Sequence, residues 1–262
     1  MKKQLTALAA LVVLLLTQRP HAQAAGAQIF FVDIGQGAST LIVSPAGKTL
    51  LVDGGPPGSG AKVSDLLNAR GISQIDYTVL THYHIDHMGG LIELMNAGRV
   101  KNAANGGVAY DNGDTPEVQP PGTSTSPTST RGTYLNYVAA VGSAGALRAT
   151  PDPGGASNAI IDLGGGMRAT FIAAGGRLIT GGVAAITNAD LNSESISVLV
   201  EYNTFDYLVS GDLTGGGSTS TAKAPDIETW VGQTVGDVDV VQLDHHGSTT
   251  TSNRSFLSAV KA

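Results

Sequence analysis

Five of the six histidines of this chain fall in two short clusters, Thr81-His82-Tyr83-His84-Ile85-Asp86-His87 and Asp244-His245-His246-Gly247. Histidines that merely fill a core would scatter along the chain; these are grouped with carboxylates, which is the donor chemistry of a metal site. In an extended stretch, residues two apart point to the same side, so His82 and His84 can hold one ion together. Asp86 and His87 are adjacent. If the chain turns into a helix at Met88-Gly89-Gly90, both can face a second ion a few ångströms away, and two cations then share one water.

These residues need elements to carry them. Apolar alternation predicts strands over residues 28–33, 39–43 and 49–53, a helix over 60–70 with Val63, Leu66 and Leu67 on one face and Gly71 as its stop, and a strand over 77–81 that delivers the first cluster. A helix over 90–97 follows. Residues 101–158 are rich in Gly, Pro, Ser and Thr, with Pro120-Pro121-Gly122-Thr123-Ser124-Thr125-Ser126-Pro127 at their centre. Little in that composition can build a core, so a flexible insertion is expected, either a loop beside the site or a disordered segment. Strands resume over 158–163, 168–173, 195–202 and 205–210, the last ending at Gly211-Asp212, and a strand over 238–243 carries out the second cluster.

The motif His82-x-His84-x-Asp86-His87 resembles the signature of the metallo-β-lactamase-fold hydrolases. Val32-Asp33-Ile34-Gly35-Gln36-Gly37, Leu51-Val52-Asp53-Gly54-Gly55, Asn192-Ser193-Glu194-Ser195, Leu208-Val209-Ser210-Gly211-Asp212 and Leu243-Asp244-His245-His246-Gly247-Ser248 also match at the expected places. Together they are similar to the branch typified by the soluble hydrolase domain of the bacterial competence protein ComEC, from about Ala27 to the C-terminus. The resemblance implies an α/β fold, a four-layer αβ/βα sandwich of two mixed β-sheets flanked by helices. Relatives continue past a last helix into a further strand, so a C-terminal truncation is expected. The implied metal ligands are His82, His84, Asp86, His87, Asp212 as the bridge, and one of His245 and His246. The choice falls on His246, which precedes the Gly, with His245 behind it or facing substrate. Asp53 resembles the inner carboxylate that supports ligating histidines rather than binding metal itself. Taken alone, Asp212 also reads as a helix cap or turn residue, and Asp53 as a turn residue before Gly54-Gly55.

Many members of that superfamily place another histidine between the first motif and the bridging Asp. Here no histidine lies between His87 and His245, and Asn192 stands in that region, as in the competence-like branch. The first ion is thus left with His82, His84 and Asp212. Ala38 stands where that branch often carries Asp after Gly-Gln-Gly. The implied cofactors are two divalent metal ions, zinc or manganese, which lower the pKa of a shared water so that hydroxide attacks near neutral pH. Asp86 is the candidate to orient that water or take its proton, and Asn192 the candidate to hydrogen-bond a substrate oxygen. The expected activity is a binuclear phosphodiesterase or nuclease. The alternatives are a phosphorylcholine-esterase-like envelope phosphodiesterase, a lactonase or β-lactamase, and a degenerate, non-catalytic binding domain.

Residues 1–24 read as a signal peptide: Lys2 and Lys3, an apolar run from Leu5 to Thr17, and Ala22-Gln23-Ala24 at a cleavage site. The run is shorter than the roughly 20 residues that span a bilayer, so the product is expected to be secreted or periplasmic, without membrane insertion. The remainder, 25–262, is large enough for one hydrolase domain and contains no cysteine for crosslinks. Losing Lys2, Lys3 and Arg19 lowers Lys plus Arg from 15 to 12 against 21 acids, a formal balance of −9. Proteins that grip long nucleic acid by its phosphates present a basic face; this chain has no basic run. The expected substrate is a phosphodiester, in DNA or in a cell-envelope polymer, with no protein partner inferred.

Overall fold

A computed structural model describes residues 26–115, 124–184, 191–217 and 224–261. The leader expected at 1–24 and residues 116–123 of the Pro-rich stretch lie outside these described residues. Strands β1 (Gln28–Phe31), β2 (Thr40–Val43) and β3 (Thr49–Val52) form an antiparallel meander. Strands β4 (Tyr77–Val79), β5 (Val108–Tyr110) and β6 (Leu147–Ala149) extend it in parallel. The parallel steps need crossovers; helices α1 (Ser59–Ala69), α2 (Ile85–Asn96) and α3 (Thr130–Ala144) supply them.

The second sheet comprises β7 (Ile160–Gly164), β8 (Met167–Ala174), β9 (Arg177–Leu178), β10 (Ser197–Tyr202), β11 (Phe205–Val209) and β12 (Val240–Val241). Its spatial order is β12-β11-β10-β8-β7, with β9 paired to β8, and only the β11–β12 pair is parallel. Helices α4 (Glu228–Val235) and α5 (Arg254–Val260) complete the chain's described elements.

Period-two alternation explains the layering. In β3, Leu51 turns toward α1 and α2 with Val63, Leu67 and Leu91, whereas Leu50 and Val52 turn toward the second sheet with Phe171, Val198 and Tyr207. A third apolar cluster, including Ile172, Leu208, Val231 and Phe256, joins the far face of the second sheet to α4 and α5. The result is the expected four-layer sandwich of two mixed sheets between helices.

Three expectations are corrected. The stretch 101–158 is not a coreless loop: it contains β5, α3 and β6, and buries Tyr110, Tyr134, Tyr137, Ala140 and Val141. Average composition hid a 15-residue helix, capped by the Ser129 hydroxyl on the Gly132 N–H and ended by Gly145 at φ 66°. Helix α2 begins at Ile85 rather than Gly90, with His84 extended as its N-cap and Asp86 in the first turn, where a carboxylate complements the helix dipole. Gly89 and Gly90 lie inside it because the helix packs on backbone: a Cβ on Gly90 would lie 2.0 Å from the Gly54 carbonyl oxygen. Finally, the strand expected over 238–243 shrinks to β12, since Leu243 emerges at the surface, 52 % exposed.

Candidate metal centre

The first cluster occupies the gap between β4 and α2. The β4 ladder stops at Val79 because Thr81 turns away to Asp53: the Thr81 N–H donates to Asp53 Oδ1 at 2.8 Å and the Thr81 hydroxyl to Oδ2 at 2.8 Å. Asp53, at φ 57° and fully buried, sits just beyond β3. Backbone bonds fasten this turn to α2, from Gly54 N–H to the His87 carbonyl (2.8 Å) and from Gly90 N–H to the Gly55 carbonyl (2.9 Å). They bring His87 Nδ1 to 2.8 Å from Asp53 Oδ2.

This carboxylate orients two imidazoles. His87 donates its Nδ1–H to Asp53, which leaves Nε2 facing inward. The Thr81 hydroxyl has one hydrogen, which goes to Asp53, so its oxygen accepts from His82 Nδ1 at 3.1 Å and turns His82 Nε2 inward as well. His82 Nε2 and His84 Nδ1 lie 3.0 Å apart.

The opposite wall comes from the second sheet. Asp212 follows β11 by way of Gly211, which has φ +57°; a Cβ there would lie 2.3 Å from Thr81 Oγ1. Glycine at this position therefore serves the close passage of the Thr81 side chain. Asp212 Oδ1 lies 3.1 Å from His87 Nε2, and Oδ2 lies 3.6 Å from His82 Nε2 and 3.5 Å from His246 Nε2. The second cluster forms a tight 3-10 turn after β12, in which His245 and His246 have φ of 47° and 54°. Two consecutive left-handed, non-glycine residues cost free energy and persist only when the surroundings hold them. The turn is held by His245 N–H on the Gly211 carbonyl (3.0 Å) and the Thr251 hydroxyl on the Asp244 carbonyl (2.9 Å). His245 Nε2 reaches 3.7 Å from Asp212 Oδ2, while His246 Nε2 also lies 3.4 Å from Asp86.

Two donor groups result, His82–His84–Asp212 and Asp86–His87–His246, each with its ligand atoms within 4.8 Å of one another. The donors fit cations. His87 Nε2 and Asp212 Oδ1 are buried and 3.1 Å apart without a well-aligned hydrogen bond, which leaves both open to a cation. The electrostatics agree. Burial pulls the His87 imidazole down, but Asp53 and Asp212 outweigh it and carry it up to about 10, so the centre attracts positive charge. His82 is driven well below the usual imidazole range by burial and by the neighbouring histidines, and stays a neutral donor. Contact with His246 lowers Asp86 to about 2, and the same contact raises His246. Imidazole and carboxylate donors in threes, with His82, His87 and Asp212 buried and His246 toward solvent, suit zinc or a similar divalent ion.

Asn192 lies in the buried 3-10 turn Leu191–Glu194. That turn meets Asp212 through Ser195, whose Oγ accepts the Asp212 N–H at 3.2 Å. Sequence reasoning missed Tyr83, Asp111, Asn112 and Asp244. Asn112 donates to the carbonyls of both Thr81 and Glu194 and so ties the two walls together. Asp244 is buried beside Glu228; burial and then that neighbour push its carboxyl well above the usual range. The only sequence signal for Tyr83 was its place between two ligand histidines. A cavity of about 160 Å³ adjoins the centre, lined by Tyr83, His84, Ile85, Asp86, Thr128, Thr130 and Thr133.

The family model for the Metallo-beta-lactamase superfamily matches residues 32–261. No curated protein matches the chain. Among solved structures, it is similar to the MIM-2 metallo-beta-lactamase, at 19 % identity and TM-score 0.43 over 73 % of this chain and 61 % of that one. It is also similar to the metallo-beta-lactamase fold protein YhfI from Bacillus subtilis, at 14 % identity and TM-score 0.45 over 83 % and 70 %. A diphosphatase from the PhnP family gives 18 % identity and TM-score 0.47 over 86 % and 70 %. The chain thus spans less than two thirds of the length of MIM-2.

Proposed function

Since the chain belongs to the metallo-beta-lactamase superfamily, a superfamily of metal-dependent hydrolases, we propose that it is a binuclear phosphodiesterase of the competence-like branch, acting outside the cytoplasm. The observation that carries this reading is the pair of three-donor groups meeting at Asp212. When bound there, two divalent cations would activate water and polarise the scissile ester.

The protein's own residues define the rest. His82, His84 and Asp212 would hold one cation and Asp86, His87 and His246 the other, with three side-chain donors each, so both keep room for water and for ester oxygens. Asp53 holds His87 directly and His82 through Thr81. Asp86, held near pKa 2 by His246, is a weak proton acceptor at neutral pH, so its role is to bind and orient. His245 faces Asp212 at 3.7 Å and is placed to meet a substrate oxygen, and Asn192 is assigned the same task from its turn. Catalysis here needs no cysteine nucleophile, and the chain has none.

Charge favours a cell-envelope phosphodiester over long DNA. Among the described residues the cavity beside the centre carries hydroxyls and a carboxylate but no Lys or Arg, and the chain's net charge is −6. The test is elemental analysis of the purified protein, paired with turnover of bis-p-nitrophenyl phosphate, single-stranded DNA and nitrocefin, for the wild type and His84→Ala. Two metals per chain and phosphodiester turnover abolished by His84→Ala are expected. Nitrocefin hydrolysis without phosphodiester turnover would refute the assignment, as would a folded protein that binds no metal.

A further inference from the structure

The strained turn that carries His245 and His246 leans on a residue of α4. Glu228 stands in the first turn of that helix, where a carboxylate could serve the helix dipole from solvent, yet it is fully buried. Its backbone N–H donates to the Thr214 carbonyl at 3.1 Å, two residues beyond Asp212. The Thr214 and Ser193 hydroxyls lie 3.0 Å apart, which links this point to the turn that holds Asn192.

The side chain reaches the other way. Glu228 Oε1 accepts the Ser252 N–H at 2.6 Å and Oε2 the Asn253 N–H at 3.2 Å, where the chain returns from the histidine turn into α5. Its carboxyl also meets that of Asp244, the residue before His245, which is buried with it. Neither Asp244 oxygen has a hydrogen-bond donor among the other described residues. Two touching carboxyl groups attract only if one keeps its hydrogen and donates it to the other, so the pair forms a hydrogen-bonded clamp. One side chain thus grips the loop on both sides of the two histidines, at Asp244 before them and at Ser252-Asn253 after them. These contacts add to the bonds from Gly211 and Thr251, so losing Glu228 should loosen the turn without releasing it.

We propose that Glu228 is a positioning residue for the metal centre: by holding Asp244 and Ser252-Asn253 against α4, it sets where His246 stands relative to Asp212 and Asp86. The proposal rests on the two-cation reading of the centre. Partners that orient metal ligands typically change affinity by about 10–100-fold when removed.

The experiment is titration of metal-stripped full-length protein with Co²⁺, followed by its visible absorption, and with Zn²⁺ against a chelator, for wild type, Glu228→Ala, Glu228→Gln and Val231→Ala. The wild type should show two uptake steps. Glu228→Ala should weaken uptake by about tenfold and alter the cobalt spectrum. Glu228→Gln keeps an acceptor for the loop N–H groups and a donor for Asp244, and should restore wild-type affinity and spectrum. Val231→Ala trims the same helix where it packs in the third apolar cluster; it should lower the urea midpoint and leave uptake and spectrum unchanged. If Glu228→Ala does not fold, Glu228→Asp, which withdraws the carboxyl by one methylene, takes its place and should shift affinity and spectrum in the same direction. Wild-type uptake and spectrum in the folded Ala or Asp variant, no rescue by Gln, or the same spectral change in Val231→Ala would each overturn the proposal and leave the two-cation reading standing. A wild type that takes up no cation would overturn both.

Discussion

The two donor groups of the metal centre are built by different means. Asp86 and His87 stand in the first turn of a 12-residue helix, and His87 is tied by a direct 2.8 Å bond to buried Asp53. His82 stands on irregular backbone and is turned by the Thr81 hydroxyl, while His84 is the helix's N-cap, its carbonyl accepting the His87 and Met88 N–H groups at 3.1 Å. A helix fixes its side chains through its own hydrogen-bond ladder, so ligands mounted on it need little outside help. Ligands on a bend have no such ladder, and their geometry is only as good as the tertiary contacts around it. The same holds for His245 and His246, kept at positive φ by bonds to Gly211 and Thr251.

Asp212 is where the contrast disappears, because its two oxygens serve both groups. Asp212→Ala is expected to abolish both metal uptake steps and to lower turnover by about a thousandfold or more, since several kcal/mol of charge stabilisation go with the ions. Retention of either ion at wild-type affinity would break the shared-bridge picture. Asp53→Ala comes next. It frees His87 directly and His82 through Thr81, so both steps should weaken, by about 10–100-fold. Loss confined to the helix-borne site would show that Thr81 holds His82 without Asp53.

Gly211→Ala probes the passage between the two walls. It places a Cβ 2.3 Å from Thr81 Oγ1 at φ +57°, and should destabilise the protein by about 1–3 kcal/mol in urea denaturation. Proton linkage gives a smaller signature. In the metal-free protein His87 is raised to about 10, so its charged form contributes stability fully below the unfolded value of about 6.5 and loses it as pH rises through 10. The metal-stripped protein should therefore lose Tm progressively between those limits, and saturating zinc should flatten that loss because the ion takes the proton's place. A metal-free Tm that rises across this range would contradict the Asp53–His87–Asp212 electrostatics.

The weakest effect is expected far from the centre, at the exposed pair Arg168–Glu201 on the second sheet, with N–O distance 2.7 Å. Arg168 holds the Glu201 carboxyl below its usual value, so the pair's contribution is present above about pH 4.5 and fades as pH falls. Glu201→Gln should cost no more than about 1 kcal/mol and leave both metal steps unchanged. A change in either step would mean that the two donor groups respond to the second sheet as a whole.

Much of this architecture was legible residue by residue. The alternation of Leu50, Leu51 and Val52, the stop at Gly71 and the spacing of the two histidine clusters are local patterns, and local patterns survive in one dimension. The stretch 101–158 failed for the opposite reason: its Gly, Pro, Ser and Thr dominate any average, while Tyr110, Tyr134, Tyr137 and Arg148 become informative only once α3 lies against α2 and beneath Tyr83.

By itself, then, the sequence determined which atoms are available as ligands, the period of the strands and helices that carry them, and the superfamily to which that combination belongs. Tertiary structure alone decided which donors meet. Asp53 and His87 are 34 positions apart, yet their side chains come within 3 Å, and whether distant groups meet depends on how the elements stack and how closely a glycine such as Gly211, with no room for a Cβ beside Thr81, lets them approach. Periodicity encodes a face of an element; the distance between two faces is set only when the core between them is packed.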